Sequence, residues 1–494
     1  MGGNFGDEGK GKIIDLIMEH YELTVRFSGG ANAGHTVKTP KGVKIVSHLI
    51  PCGLAQNKTC VLGRGELIDL RLFAEELRDA KKILKNKIPQ IWLDEMSPVW
   101  TPWHALLEAW LELNLGKKKV GTTGKGIGPL EGLHVLRISP VLGQVLGNKK
   151  ELLASLEILY NALLPILKEL EAITNHQPIN RRATLSPSPN PSHDREGNKP
   201  LRIKIPTPKE VAGELIKYQK LIKNKVIDTG YLLSQNVKAG KRMLFEGSQA
   251  MGLDNHFGTY PFVTSGNTVA AGASLGTGLP MEVFNSTIMV AKILPTRVGA
   301  GPFISEMWER KKAMAFAKEH LNLFKESSDR EKFLSAMLKK INSGKASRAE
   351  MSQYFQVLGD ERGATTGRGR SLGFLDIPWL HYACRINRPK FLALTRFDML
   401  SKIKSIPVVV AYKYQGKILP PGKLPPPWAM GQVQPIFEQW QCFKEDISGI
   451  NSENHLPTSA RQFISRLENR LEVPILLVGT GPGREDIIVR SGQI

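Results

Sequence analysis

The sequence predicts an α/β fold with a large, mostly parallel central sheet flanked by helices. Two observations predict it. Short apolar runs recur at 45–51, 242–245, 288–294, 391–395 and 473–478, each followed by a Gly- or Thr-rich segment. Continuous rather than alternating apolarity marks strands buried on both faces. Helical periodicity separates several of these runs, at 70–84 and 152–172. Strand, loop and helix in repetition build a parallel sheet covered by helices, with ligands at the carboxyl ends of its strands.

The first loop, Gly6 to Lys12, reads Gly-Asp-Glu-Gly-Lys-Gly-Lys, and a helix is predicted to follow it over 13–20. Glycines let backbone N–H groups crowd an anion, the helix N-terminus favours negative charge, and Lys10 and Lys12 add point charge for phosphate. The spacing is not that of a Walker A loop. Asp7 adds nothing to phosphate binding, but it can abstract a proton or hold Mg²⁺. No apolar run precedes the loop, so either a first strand is missing or the start lies upstream.

The second loop, GGANAGHT (29–36), sets His35 among small residues, where a ligand can approach the ring. A third, GTTGKGIGP (121–129), offers hydroxyls and backbone donors suited to an oxyanion. A fourth, 246–268, concentrates Gln249, Asp254, Thr259 and Thr264, a composition poor for a core and good for a polar pocket. A fifth, ATTGRGR (364–370), has paired Thr and spaced Arg for clamping carboxylates or phosphates. Each alone reads equally as a solvated loop; five together do not.

Two stretches break the pattern. Residues 180–206 are rich in Pro, Ser, Asn and Arg without apolar periodicity, which predicts a disordered insertion. Residues 306–358 are charged and helical in period, which predicts a helical insertion at the surface.

The chain has 494 residues, 41% hydrophobic and 23% charged, which fits a globular protein. It has no apolar run long enough for a membrane helix and no secretory pattern, so a cytoplasmic location is predicted. Its four cysteines show no metal or disulfide spacing. The balance of 67 basic to 46 acidic residues, net +21, admits nucleic acid or several anionic ligands. The basic residues are spread out with no interleaved aromatic pattern, which disfavours nucleic acid as the main partner.

Read in order, GDEGKGK, GGANAGHT, SHLIP, GTTGKGIGP, FEGSQ…LD…GTYPFVTS, TRVGAGPF, GATTGR, LTRFD and TGPGRED resemble the adenylosuccinate synthetase family over nearly the whole chain. The resemblance implies a single P-loop-NTPase-like domain over 1–494. It implies GTP-dependent phosphorylation of O6 of IMP, then attack by L-aspartate, giving adenylosuccinate, GDP and phosphate with Mg²⁺. Asp7 would be the base and His35 the donor to the transferring phosphoryl. Asp7 and the backbone of Gly34 would hold the metal.

GTP would lie on Gly6, Asp7, Glu8, Gly9, Lys10, Gly11 and Lys12, with Gly34, His35, Thr36 and Arg370. Its base would meet Arg396, Phe397, Asp398, Gly479, Thr480 and Gly481. The family's Thr-Lys-x-Asp stands here as Thr395-Arg396-Phe397-Asp398, so Arg396 would stack on the base while Asp398 reads guanine. IMP would meet Asp7, Lys10, Asn32, Ala33, Gly34, His35, Thr123, Gln249, Thr264 and Arg368, with Arg137 supplied by the other subunit of a homodimer. Aspartate would meet Ala364, Thr365, Thr366, Gly367, Arg368, Gly369 and Arg370.

Three other readings stand beside this one. A relative acting on (d)GMP to form 2-aminoadenylosuccinate resembles a form with serine at position 7. A non-catalytic nucleotide-binding paralogue needs neither Asp7 nor His35. A nucleic-acid binder would show a salt-steep binding curve.

Overall fold

The apolar runs at 242–245, 288–294, 391–395 and 473–478 all contribute strands to one layer. The protein is described by a computed structural model over residues 1–38, 44–116, 119–176, 203–324, 328–362 and 369–490. In chain order the strands are β1 (Leu23–Arg26), β2 (His35–Lys38), β3 (Lys44–Ser47), β4 (Thr59–Leu62), β5 (Ile91–Asp94), β6 (Val226–Ile227), β7 (Met243–Glu246) and β8 (Ile288–Lys292). They continue as β9 (Thr296–Arg297), β10 (Ser371–Leu372), β11 (Phe391–Thr395), β12 (Ser405–Tyr414), β13 (Lys417–Ile418), β14 (Gln434–Gln441), β15 (Ile475–Gly479) and β16 (Ile487–Val489).

One half of the layer is the parallel sheet β6-β5-β4-β1-β7. The other is β16-β15-β11-β8, in which only β16 runs antiparallel. Residues 1–4 form the seam. Gly2 bridges Val290 of β8 in parallel, and its carbonyl accepts from the Met251 N–H just beyond β7 (3.0 Å). The segment before the first loop thus lies where a strand was expected to be missing.

The helices follow their sequence signals. α1 (Lys10–Ile17) starts three residues before the predicted 13, so Lys10 and Gly11 belong to it. α2 (Leu70–Ile83) is capped by Asp69, whose side chain accepts from the Arg71 and Leu72 N–H groups. α3 (Pro102–Leu115) and α4 (Ile127–Val135) pack with α2 and the long helix Lys149–His176 into a second core beside the sheet. Among the described residues no helix is long and apolar enough to cross a membrane.

The apolar run 45–51 is not a buried parallel strand. Only Lys44–Ser47 is extended, as an antiparallel hairpin with β2. The turn after it is held by Glu76 of α2, whose buried carboxylate accepts from the backbone N–H groups of His48, Leu49 and Ile50 and from Ser47 Oγ. A carboxylate remote in sequence satisfies donors that a ladder would otherwise take.

Within 306–358 the chain forms helices at Arg310–Leu323, Ser328–Asn342 and Arg348–Gly359. The third of these is not a surface element. Tyr354, Phe355 and Val357 are buried, and Gln356 Nε2 donates to the carbonyls of Ala313 (3.0 Å) and Arg370 (2.9 Å). Its polar residues look solvated in sequence because their partners are backbone groups from other segments. Of the predicted insertion 180–206, residues 180–202 lie outside the described residues; Ile203 is buried, and the Pro206 carbonyl accepts from Trp103 Nε1 (2.9 Å).

Candidate functional site

The functional loops leave the carboxyl ends of β1, β7, β8, β11 and β15, where a parallel sheet exposes its backbone to ligands. The first loop, wedged between the two half-sheets, is built by left-handed turns at Gly6 (φ 98°), Asp7 (φ 59°) and Gly9 (φ 84°). Gly11 lets α1 touch β2, since a Cβ there would stand 2.7 Å from the Thr36 carbonyl. Glu8 turns inward. Its carboxylate accepts from the N–H groups of Asn4 (3.1 Å) and Gly6 (2.8 Å) and from Lys10 Nζ (3.2 Å), so its side chain shapes the loop.

A cavity of about 440 Å³ opens beside this loop. The loop supplies Gly6, Asp7, Glu8, Gly9, Lys10 and Gly11 to its wall. The second loop supplies Asn32, Ala33, Gly34, His35 and Thr36. Of the other predicted residues, Thr123, Gln249, Thr264 and Arg370 also line it. Asn32 Nδ2 donates to Thr264 Oγ1 (3.1 Å), while Asn32 Oδ1 and Gln249 Nε2 are buried without a partner among the described residues. A buried polar atom left open in this way costs about 1–3 kcal/mol unless a ligand or water fills it. The cavity is therefore shaped for a ligand with both donors and acceptors.

Asp7 is held by the predicted Arg370, whereas the buried charges behind Arg370 and behind His35 were passed over by sequence reasoning. Arg370 Nε donates to Asp7 Oδ2 (2.7 Å), and Arg370 Nη1 donates to Glu361 (2.9 Å). Glu361 is fully buried and also accepts from Lys292 Nζ (2.7 Å), with Arg396 Nη1 at 3.8 Å. Burial alone would raise its pKa, but the three cations outweigh that and hold it at about 2. Burial lowers Lys292 to about 8 against the pull of Glu361. His35 Nδ1 is hydrogen-bonded to Glu246 at the end of β7. Arg297, in the TRVGAGPF segment, spends its guanidinium on the carbonyls of Phe262, Ala300 and Pro302 (each 2.9 Å) and so fixes two loops of the cavity wall. Glu246 and Arg297 lie inside quoted motifs, Lys292 and Glu361 a few residues outside them, and none could be assigned without knowing its partner.

A second constellation surrounds Arg396 and Asp398. Arg396, left-handed at φ 59°, sits between Glu361 and Asp398, with Nε 3.9 Å from Asp398 Oδ2. Asp398 Oδ1 is buried and without a partner among the described residues. Burial raises the Asp398 pKa despite Arg396. Lys12 Nζ donates to the carbonyls of Gly481 (2.6 Å) and Asp486 (2.9 Å), so it ties α1 to the 479–486 loop and does not stand free for phosphate. Burial lowers Lys12 to about 8. The Thr480 side chain is likewise committed, donating to the Ile450 carbonyl (2.6 Å). Phe397 is fully buried between Phe443 and Phe463, so its ring belongs to the core and cannot meet a base.

Of the remaining predicted residues, Ala364, Thr365, Thr366, Gly367 and Arg368 lie outside the described residues; Gly369 leads into β10. Arg137 (φ 64°) is exposed at the end of α4 and does not line the cavity of its own chain.

A model of the adenylosuccinate synthetase family matches residues 1–488. The adenylosuccinate synthetase of Syntrophus aciditrophicus is 32% identical over 491 residues, covering 99% of this chain and 97% of its own. That of Geotalea uraniireducens is 34% identical over 500 residues, with the same coverages. A fully ligated adenylosuccinate synthetase from Plasmodium falciparum has a TM-score of 0.76 at 29% identity, covering 99% of both chains. The succinoaminodeoxyadenylate synthetase of cyanophage S-2L, bound to dGMP and dATP, reaches a TM-score of 0.52 at 16% identity, over 100% of this chain and 94% of its own, a likeness of fold alone.

Proposed function

Because this chain belongs to the adenylosuccinate synthetase family and so is a ligase of IMP and L-aspartate in purine biosynthesis, we propose that GTP drives the reaction through 6-phosphoryl-IMP. Asp7 removes the N1 proton of the hypoxanthine ring, and O6 attacks the γ-phosphate. His35 donates to the transferring phosphoryl and stabilises its charge where water is excluded. The phosphate group leaves as the aspartate amine adds at C6, giving adenylosuccinate, GDP and inorganic phosphate.

The observation that carries this reading is the single cavity that gathers Asp7, Lys10, His35, Gln249, Thr264 and Arg370 from separate loops. A carboxylate and a backbone carbonyl beside a phosphate loop suit a hard cation, so Asp7 and the Gly34 carbonyl would hold Mg²⁺, which neutralises phosphate charge when bound. The test is a coupled assay with IMP, GTP and aspartate, repeated with dGMP for IMP and ATP for GTP. GTP-dependent adenylosuccinate formation is expected. Product formed only from dGMP, or none from IMP, would overturn the reading.

Guanine is read by Asp398, whose open buried oxygen accepts from N1–H or the exocyclic amine. Asp398→Asn is expected to lower kcat/KM for GTP by about 10–100-fold, the worth of a charge-assisted hydrogen bond, and to relax selection toward xanthosine triphosphate. Unchanged selectivity would place guanine recognition elsewhere.

The active unit is a homodimer that shares residues across its interface. Arg137 stands exposed beside Val135 and Leu136, which are 73% and 63% exposed, an apolar patch with a cation at its edge. Mixing Arg137→Leu with Asp7→Asn subunits is expected to restore about a quarter of wild-type activity, since half the dimers are hybrids and each hybrid keeps one complete site. No recovery on mixing would contradict the shared site.

A further inference from the structure

We infer that Glu246 is the positioning residue of His35: it fixes Nδ1 as the ring nitrogen that carries hydrogen and leaves Nε2 to face the cavity. The inference rests on the role proposed for His35 above.

Both oxygens of Glu246 are held by donors. Oε2 accepts from the Cys52 backbone N–H (2.8 Å), and Oε1 accepts from Cys52 Sγ (3.3 Å) and pairs with His35 Nδ1. The carboxylate is fully buried, and Arg26, itself fully buried, supplies positive charge nearby. An ionised carboxylate has acceptors only, so the hydrogen between it and the ring must belong to Nδ1. A proton carried at Nε2 then makes the ring an imidazolium, and the fixed carboxylate compensates that charge, as in hydrolase triads built on other folds. The His35, Cys52 and Glu246 ligand atoms also lie within 4.8 Å of one another, a set that could enclose a soft metal ion. Burial pushes the Cys52 thiol well above its ordinary range, which opposes the thiolate such an ion needs, and the thiol instead serves as a third donor to Glu246.

The arrangement dictates what an amide would do in place of the carboxylate. In Glu246→Gln the oxygen must face the Cys52 N–H, because a backbone donor cannot become an acceptor. The NH₂ then faces His35 Nδ1. The ring can accommodate it only by moving its hydrogen to Nε2. The variant therefore keeps the size and the hydrogen-bond count of the site while reversing the tautomer.

The test is ¹⁵N NMR of histidine-labelled full-length protein, with His35 assigned from the His35→Asn spectrum, in wild type and in Glu246→Gln. Wild type is expected to carry hydrogen at Nδ1, and Glu246→Gln at Nε2. In steady-state assays Glu246→Gln is expected to lose about 10–100-fold in kcat, the worth of a charge-assisted hydrogen bond, because the neutral ring keeps a donor at Nε2 but loses the positive charge that Glu246 compensates, with KM for IMP and aspartate within about threefold. A wild-type ring with hydrogen only at Nε2 would overturn the inference, and that measurement needs no variant to fold. So would a Glu246→Gln enzyme with full kcat. If wild type makes no adenylosuccinate from IMP yet shows the Nδ1–H ring, the assigned reaction fails and the positioning contact stands.

Discussion

Asp7→Asn is expected to abolish turnover while leaving IMP and GTP bound. Asp7 sits at φ 59° in the phosphate loop. Asparagine tolerates that left-handed backbone better than alanine does, so the substitution removes the base without reshaping the turn. Loss of a general base is worth about 10²–10⁴-fold, and the contact with Arg370 changes from an ion pair to a hydrogen bond from the guanidinium to an uncharged amide oxygen. Ligand binding by calorimetry should stay within about tenfold of wild type, roughly 1.4 kcal/mol. More than a tenth of wild-type kcat in this variant would remove Asp7 from the role of base.

Glu361→Ala is expected to be the most destabilising single change near the site. It strips Lys292, 3% exposed, of its only ion-pair partner among the described residues, and it releases Arg370 and Arg396 from the same carboxylate. Leaving such a cation buried without a partner costs about 3–5 kcal/mol. Thermal denaturation should show a clear fall in midpoint, and Lys292→Met in the same chain should recover part of it, because an apolar pair can replace a buried ion pair. The effect also depends on pH. Glu361 lies below its unfolded value, so its contribution is complete above pH 4.5 and is lost as pH falls from there toward 2. A Glu361→Ala protein as stable as wild type at neutral pH would show that water or rearrangement already serves Lys292.

Most of the sheet was legible because its strands are local signals. The 391–395 run coincides with β11, 242–245 is offset by one residue from β7, and 473–478 starts two residues before β15 and ends one short of it. The same signal misled at 45–51, where apolar character is real but the backbone donors go to Glu76. At 348–359 the reverse happened. A helix with Gln356 and Ser352 reads as surface, yet both residues are buried in the fold.

The sequence by itself determined the α/β class, the family, and the loops that line the cavity, with Asp7, His35, Asn32, Gln249 and Arg370 among their residues. Those features need no folding to be read: glycine spacing and apolar runs are written within a few residues, and motif order runs directly along the chain. Only the tertiary structure decided which charges meet. Glu246 reaches His35 across 211 residues, and Arg370 reaches Asp7 across 363. It likewise turned Phe397 into the core, Glu8 back into its own loop, and Lys12 onto the 479–486 segment. The reason is physical. A side chain's chemistry follows from its residue type, but its burial, partner and tautomer depend on groups that folding alone brings within hydrogen-bond distance.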